Sequence, residues 1–347
     1  MKGKVGLKDV AEAAGVSLST ASHALNGTAP LTQDVRDRIL TAARQLGYLE
    51  KRRSKATIAS LRSLLLAVNH DAAPRSDINL VSWTILNGLR QECERRAIRL
   101  VPLVSETTRI DAQDIKRLAK AENVDAIVVL NEDRPELTRA LAQLALPVVL
   151  LNGEDPSMKL DTVTGENRFG ARAATEHLLS LGHRRILHLT WGAGRTTIRR
   201  RQDGFIDAHL LAGLAAPLDM IVEAEGFEPM AGEKAIRAVF AEDRSLRGAT
   251  AIFCAADNLA FGCLKALKDL GIRVPEDMSV LGFDDIMPGE FTVPPLSTMH
   301  LPTERLGAAA LDMIEQRLIA NDPLRPAHRL ELGCRMVIRG SLSSPRA

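Results

Sequence analysis

The 347-residue chain has no apolar run that approaches the length of a membrane span. Its opening, MKGKVGLKDV, is basic but holds neither an apolar stretch nor a small-residue cleavage site, so no secretory signal is expected. Four cysteines, Cys93, Cys254, Cys263 and Cys334, lie scattered without a CxxC pair. That spacing argues against zinc ligation and a disulfide framework, and for free thiols in a reducing cytoplasm. No P-loop, GxSxG elbow or HExxH occurs. The C-terminal region lacks a heptad repeat, so nothing there suggests a further oligomerisation helix. Neither a cofactor nor a metal site is expected.

What is present is unevenly distributed. Residues 1–63 hold eleven Lys and Arg against five Asp and Glu, while the remainder holds 34 against 38. A basic head on a mildly acidic body is the electrostatic footprint of a nucleic-acid binder, because phosphate contacts dominate such affinity. A solvated basic face would give the same count.

The stretch Leu7 to Asn26, LKDVAEAAGVSLSTASHALN, reads as two short helices joined by a tight turn. Val10, Ala13 and Ala14 make a small apolar face at helical spacing. Gly15 breaks the first helix, and Ser17 caps the second. Ala21 and Leu25 point that second helix inward, leaving Ser19, Thr20, Ser22 and His23 outward. Small side chains inside allow a close crossing, and short polar ones outside can reach base edges in a major groove. This is a helix-turn-helix pattern, although a helical hairpin that merely packs shares it. A third helix, capped by Thr32 and ended by Gly47, carries an apolar stripe of Val35, Ile39, Ala42, Ala43 and Leu46. A head this small is marginal alone and suits service to a larger body.

Glu50 to Ser63, EKRRSKATIASLRS, reads as a basic linker able to order as a helix against DNA. From Leu64 the rhythm changes. Short apolar runs (Leu64–Val68, Leu100–Val104, Ala126–Leu130, Val148–Leu151, Ile186–Leu189, Ala251–Cys254 and Ser279–Phe283) alternate with amphipathic helices. This predicts an α/β body of parallel sheets covered on both faces by helices. The runs are too many for one compact sheet, and Leu160–Thr164 and Pro294–Leu301 read as crossings between two. Ligands of open α/β sheets bind at strand carboxyl ends, so two facing sheets imply a cleft between lobes.

With head, linker and two-lobed body in place, the chain resembles the LacI/GalR family of bacterial transcriptional repressors. The resemblance rests on LKDVAEAAGVSLSTASHALNG and LGY in the head. In the body it rests on VTGENRFGARAATEHLLSLGHRRILHL, TAIFCAADNLAFGCLKALKDLGIRVPEDMSVLGFDD and PPLSTMHLPTERLGAAAL. It covers nearly the whole chain. It implies a three-helix DNA-binding head at 1–49, a hinge at 50–63 and a periplasmic-binding-protein-like core at 64–347. Within the core the N-lobe would comprise about 64–163 and 302–324, and the C-lobe about 164–295 and 325–347.

The resemblance also implies site residues. Leu18 and Ser19 open the recognition helix at the family's sequence-reading positions, and Thr20, Ser22 and Asn26 match positions that hold phosphates or neighbouring bases. His23 stands where the family usually has a guanine-reading Arg. A shorter, partly charged side chain there alters the operator centre or makes only a phosphate or solvent contact. With Ser17, Tyr48 and the linker's Lys55, Thr57 and Ile58, these form the candidate DNA-contacting set. The hinge departs from the family pattern: Leu49-Glu50-Lys51 replaces x-Pro-Asn, and Thr57 replaces the Leu that wedges into the minor groove. Ile58 or Leu61 would have to substitute, or the DNA is bent less. In the cleft, Asn152, Arg201, Phe227, Asp257 and Asp284 form the candidate effector set. For Arg201 a surface charge run is the competing reading, and for Asp257 and Asp284 a helix cap. Ala256 and Leu301 stand where many members carry Asn and Gln, which implies an effector other than a simple hexose.

Two rivals remain open at this point. Trp191-Gly192-Ala193-Gly194 follows a strand as a dinucleotide loop does, but Thr197 occupies the third glycine's place, which leaves a nucleotide-dependent enzyme as the weaker reading. A sugar-binding protein would share the two-lobed body without the basic head. His177, His183 and His188 show no metal-binding spacing and suit helix-end or core roles. The expectation is therefore a cytoplasmic, homodimeric regulator, with double-stranded operator DNA and a sugar or sugar-derived effector as partners.

Overall fold

The computed structural model describes residues 6–26, 33–46, 61–69, 79–105, 109–192, 195–320, 322 and 325–346. The chain divides into two compact units, one covering 1–62 with 315–321 and the other 63–314 with 322–347.

The head is built from α1 (Leu7–Ala14), α2 (Leu18–Asn26) and α3 (Gln33–Gln45). Gly15 ends α1 in the left-handed region (φ 64°, ψ 38°), a conformation a Cβ would penalise. The core consists of Val10, Ala11, Ala14, Ala21, Ala24, Ile39, Ala42 and Ala43, with Val35 and Leu46 packed against it. The expected face of α1 shifts by one side chain: Ala11 is buried and Ala13 exposed, since positions 10, 11 and 14 share one side of a 3.6-residue helix. Apart from Val10 and Ile39, all of these buried core residues are alanines, so the helices cross at close range.

The N-lobe of the body is a six-stranded parallel sheet. Its strands are β1 (Ser63–Val68), β2 (Arg99–Val104), β3 (Ala126–Leu130), β4 (Val148–Leu151), β5 (Asp161–Gly165) and β11 (Arg329–Leu332), in the order β11-β5-β4-β3-β1-β2. The inner strands β1, β3 and β4 are buried along their whole length, as expected for strands covered on both faces. Along the edge strand β2 only Val101 is buried. Crossovers are made by α4 (Leu80–Arg95), α5 (Ala112–Ala121) and α6 (Pro135–Leu141).

The C-lobe is a four-stranded parallel sheet of β6 (Ile186–Thr190), β7 (Ile221–Glu223), β8 (Ala251–Cys254) and β9 (Ser279–Leu281), ordered β7-β6-β8-β9. Its helices are α7 (Asn167–Ser180), α8 (Thr196–Leu211), α9 (Pro229–Glu242) and α10 (Asp257–Asp269). A short antiparallel pair joins β10 (Thr298–His300) to β12 (Arg335–Val337), and the long helix α11 (Thr303–Ala320) follows β10.

One boundary needs correction. The sequence assigns 325–347 wholly to the C-lobe, but Arg329–Leu332 pairs in parallel with Thr162–Gly165 and so extends the N-lobe sheet. The chain therefore crosses between lobes three times: after β5, after β10 and between β11 and β12. The polar run RLEL at an exposed edge carries no strong strand signal, so only the pairing reveals it.

Candidate functional site

In the head, the Ser17 Oγ accepts the Thr20 amide at 3.0 Å and lies 2.7 Å from the Thr20 hydroxyl, which fixes the start of α2. Leu18, Ser19 and His23 are exposed on that helix, and Thr20 and Ser22 are half-buried. An exposed leucine at the first helical position has no packing purpose in the head. Asn26 is the last residue of α2. Tyr48, Lys55, Thr57 and Ile58 lie outside the described residues.

In the body, a cavity of about 620 Å3 lies at the carboxyl ends of both sheets. Asn131 and Asn152 reach it from just beyond β3 and β4, Trp191 from the end of β6, and Asp284 from the loop after β9. This placement is where open parallel sheets offer backbone and side-chain polar groups to a ligand.

Arg201, on α8, is buried and held on three sides. Its Nε donates to Asn167 Oδ1 at 2.9 Å, and a terminal nitrogen donates to the Ala255 carbonyl at 2.5 Å. The guanidinium lies 3.9 Å from the centre of the Phe283 ring. The same terminal nitrogen sits 2.9 Å from Asp284 Oδ1, without the alignment of a hydrogen bond. Asp284 Oδ1 is therefore buried against the guanidinium as an ion pair. Burial raises its pKa above the usual carboxylate range, while Arg201 and Arg195 pull it down. The surface-charge reading of Arg201 fails on burial, and the helix-cap reading of Asp284 fails because it stands in a loop before a short turn.

Phe227 lines the cleft and tilts against Trp191 at 5.7 Å between ring centres. Asn152 is buried, and its Nδ2 donates to Asn131 Oδ1 at 2.8 Å. Asp257 is different. It is fully buried, and its carboxylate accepts from the Thr298 hydroxyl at 2.6 Å and the Ile286 amide at 2.9 Å. It stands behind the cleft wall rather than in it, and it caps no helix. Burial and the neighbouring Asp284 push its carboxyl up to about 7. Of the two departures from the family pattern, Ala256 faces the cleft, whereas Leu301 is buried in the C-lobe core.

Sequence reasoning overlooked the other side of the site. Arg195 and Thr197 flank the start of α8 and both line the cleft. Arg195 donates from one terminal nitrogen to Asn131 Oδ1 at 2.7 Å and to the Asn152 carbonyl at 3.0 Å. Burial lowers its pKa to about 10, and it stays charged at neutral pH. Beside it, Asp133 Oδ2 accepts from both the Thr196 amide (2.6 Å) and the Thr196 hydroxyl (2.7 Å), so an N-lobe carboxylate caps a C-lobe helix. The strand-to-turn position of Trp191–Thr197 was the available signal. His183 and His188 are buried in the C-lobe, His188 between the Phe205 and Phe253 rings. Among the described residues no group of three His, Cys, Asp or Glu side chains could hold a metal ion. No described helix is long and apolar enough to cross a membrane.

Comparison with known proteins is consistent from end to end. Residues 6–50 match the family model "Bacterial regulatory proteins, lacI family", and residues 175–342 match a periplasmic binding protein-like domain. The HTH-type transcriptional repressor PurR of Haemophilus influenzae is 29% identical over 97% of this chain and 98% of its own length. PurR of Aliivibrio fischeri is 29% identical with the same coverage. The match pairs a lacI-family head with a periplasmic binding protein-like body. The chain is a transcriptional regulator that joins a DNA-binding helix-turn-helix to an effector-binding body. Its fold is that of the transcriptional regulator CelR in a cellobiose complex (TM-score 0.69, 24% identity, 97% of this chain and 100% of that one). It is equally that of the lac repressor dimer bound to operator and an anti-inducer (TM-score 0.69, 22% identity, 98% and 100%).

Proposed function

We propose that this LacI-family regulator is a cytoplasmic homodimeric repressor whose hold on operator DNA is set by a small ring-bearing effector in the interlobe cleft. The carrying observation is the convergence of Asp284, Arg195 and Thr197 on a cavity with Phe227 and Trp191 on its wall. Asp284 calls for an N–H or O–H on the ligand, Arg195 calls for an acceptor, and Thr197 serves either. The aromatic pair offers a flat apolar surface to one ring face. Asn152 and Arg201 add to the polar lining. A cavity of this size holds a mono- or disaccharide derivative or a nucleobase.

Sugar derivatives and nucleobases are thus the two effector classes to separate. The curated relatives are repressors named PurR, and the CelR structure is a cellobiose complex. Thermal-shift and calorimetric screening of sugars, sugar acids and nucleobases tests the reading, because a ligand that binds the native state raises its stability by mass action. One class should shift the transition and alter operator binding. Turnover of the bound compound would instead favour an enzyme.

On the DNA side, Leu18 and Ser19 read bases, with Ser17, Thr20, Ser22, His23 and Asn26 around them and Tyr48 with the linker's Lys55, Thr57 and Ile58 tracking the backbone or minor groove. Two copies read a near-palindromic operator. Met287, Phe291 and Val293, exposed on one loop of the C-lobe, supply an apolar surface suited to the second copy. Effector binding favours one lobe arrangement, and the difference in its affinity for the two arrangements sets the change in DNA affinity.

A further inference from the structure

We infer that Asp257 is the positioning residue of the effector site, the group that holds Asp284 at the cleft without touching the effector. This rests on the proposed role of Asp284. Asp257 is fully buried, and both carboxylate oxygens are already engaged within the protein. It reaches the segment 283–286 from both ends. Its own amide donates to the Phe283 carbonyl at 2.7 Å, and its Oδ2 accepts the Ile286 amide at 2.9 Å. The two residues between these anchors are Asp284 and Asp285.

Both adopt positive φ, 124° and 62°. Non-glycine residues avoid that half of φ/ψ space unless their surroundings over-determine them. The surroundings do so here. Asp285 is bound by Arg339 at 2.8 Å and His300 at 3.0 Å, and the Asp284 amide donates to the Met299 carbonyl at 2.8 Å. Asp257 supplies a further restraint and ties the loop to β10 through the Thr298 hydroxyl at 2.6 Å.

The sequence makes room for this clamp. A Cβ on Gly282 would lie 2.1 Å from Asp257 Oδ1, so only glycine lets the carboxylate seat. The clamp also reaches the other half of the charge pair. Phe283, whose carbonyl Asp257 holds, supports the Arg201 guanidinium, and Ala255, two residues before Asp257 and just past β8, accepts from it. Arg201 and Asp284 are therefore both set by the geometry around Asp257.

The chemistry also says which replacement should rescue. At a pKa of about 7 the neutral carboxyl is well populated at physiological pH, and it pairs one acceptor with one donor. Asparagine has the same pattern: its oxygen takes the Ile286 amide while Thr298 turns its hydroxyl to accept. Alanine removes both bonds.

The test is a set of crystal structures of the full-length protein without effector. Asp257→Ala should release the 283–286 segment and part the Arg201 and Asp284 charges beyond 4 Å, with α10 and the sheet unmoved. Asp257→Asn should keep them together. Gly282→Ala should part them with Asp257 still present, and this variant serves if Asp257→Ala does not fold. Calorimetry with glucose, glucuronate and hypoxanthine accompanies the structures. A probe that binds the wild type should bind Asp257→Ala at least tenfold more weakly and Asp257→Asn nearly normally, with operator affinity in its absence unchanged. An unmoved Asp284 in both Asp257→Ala and Gly282→Ala overturns the inference, as does equal damage from alanine and asparagine. If none of the three probes binds the wild type, only the effector reading is in question, and the structures still decide the clamp.

Discussion

The Arg201 guanidinium and the Asp284 carboxylate lie 2.9 Å apart, both buried, at the base of the cleft. Two groups that far from water stabilise the fold only as a pair, because each alone would carry the full cost of desolvation. Both residues line the cleft.

Arg201→Ala should therefore have two effects. It leaves Asp284 buried without its main countercharge, which should cost about 3–5 kcal/mol in chemical denaturation. It should also abolish the effector response while operator affinity without effector stays at the wild-type level. A retained response in gel-shift titrations refutes the assigned role.

Ser19 is exposed on α2 and Lys55 belongs to the linker, and they should behave differently on DNA. Replacing Ser19 should change the ranking of operator variants by about 1–3 kcal/mol at one base position. Lys55→Ala should weaken all duplexes about equally and reduce the salt slope by about 1. Equal losses across sequences for both would count against the recognition-helix assignment.

His188 gives a pH dependence. Burial pushes its pKa down to about 3, so the native state refuses a proton that the unfolded chain accepts near 6.5. The stabilising contribution is complete above 6.5 and is lost as pH falls from there toward 3. At pH 5 the loss through this one group is about 2 kcal/mol. His188→Leu should remove that share of the difference between denaturation midpoints at pH 8 and pH 5. An unchanged difference would show that the ring titrates normally.

Asp133 caps α8 from the opposite lobe. Asp133→Ala should lower stability by about 1 kcal/mol, the usual cost of a lost N-cap. Asp133→Asn retains an acceptor and should recover most of it. If both variants lose the same amount, the charge at the helix end matters and the hydrogen bonds do not.

Much of this molecule was legible in one dimension. The head core of Val35, Ile39, Ala42, Ala43 and Leu46 follows from 3.6-residue spacing, and the buried strands follow from uniform apolar runs. Arg201 and Asp284 were legible because long blocks around them resemble a family. Arg195 and Thr197 were not, because a strand-to-helix turn reads as punctuation and nothing local shows which way its side chains face. Asp257 carries the opposite lesson. Its neighbours in sequence mark it as part of the site, but its carboxylate turns away toward Thr298 and Ile286.

The amino-acid order by itself determined the period of each element, the basic head, the turn glycines and the alternation that demands parallel sheets. These depend on interactions within a few residues or on the sum of charges. The tertiary structure alone decided that Arg329–Leu332 joins the N-lobe sheet, that Asp133 caps a helix of the other lobe, and that Asp257 turns its carboxylate away from the cleft that Asp284 lines. Those facts arise from contacts between segments distant in the chain, and the pairing of such segments leaves no periodic trace in either one.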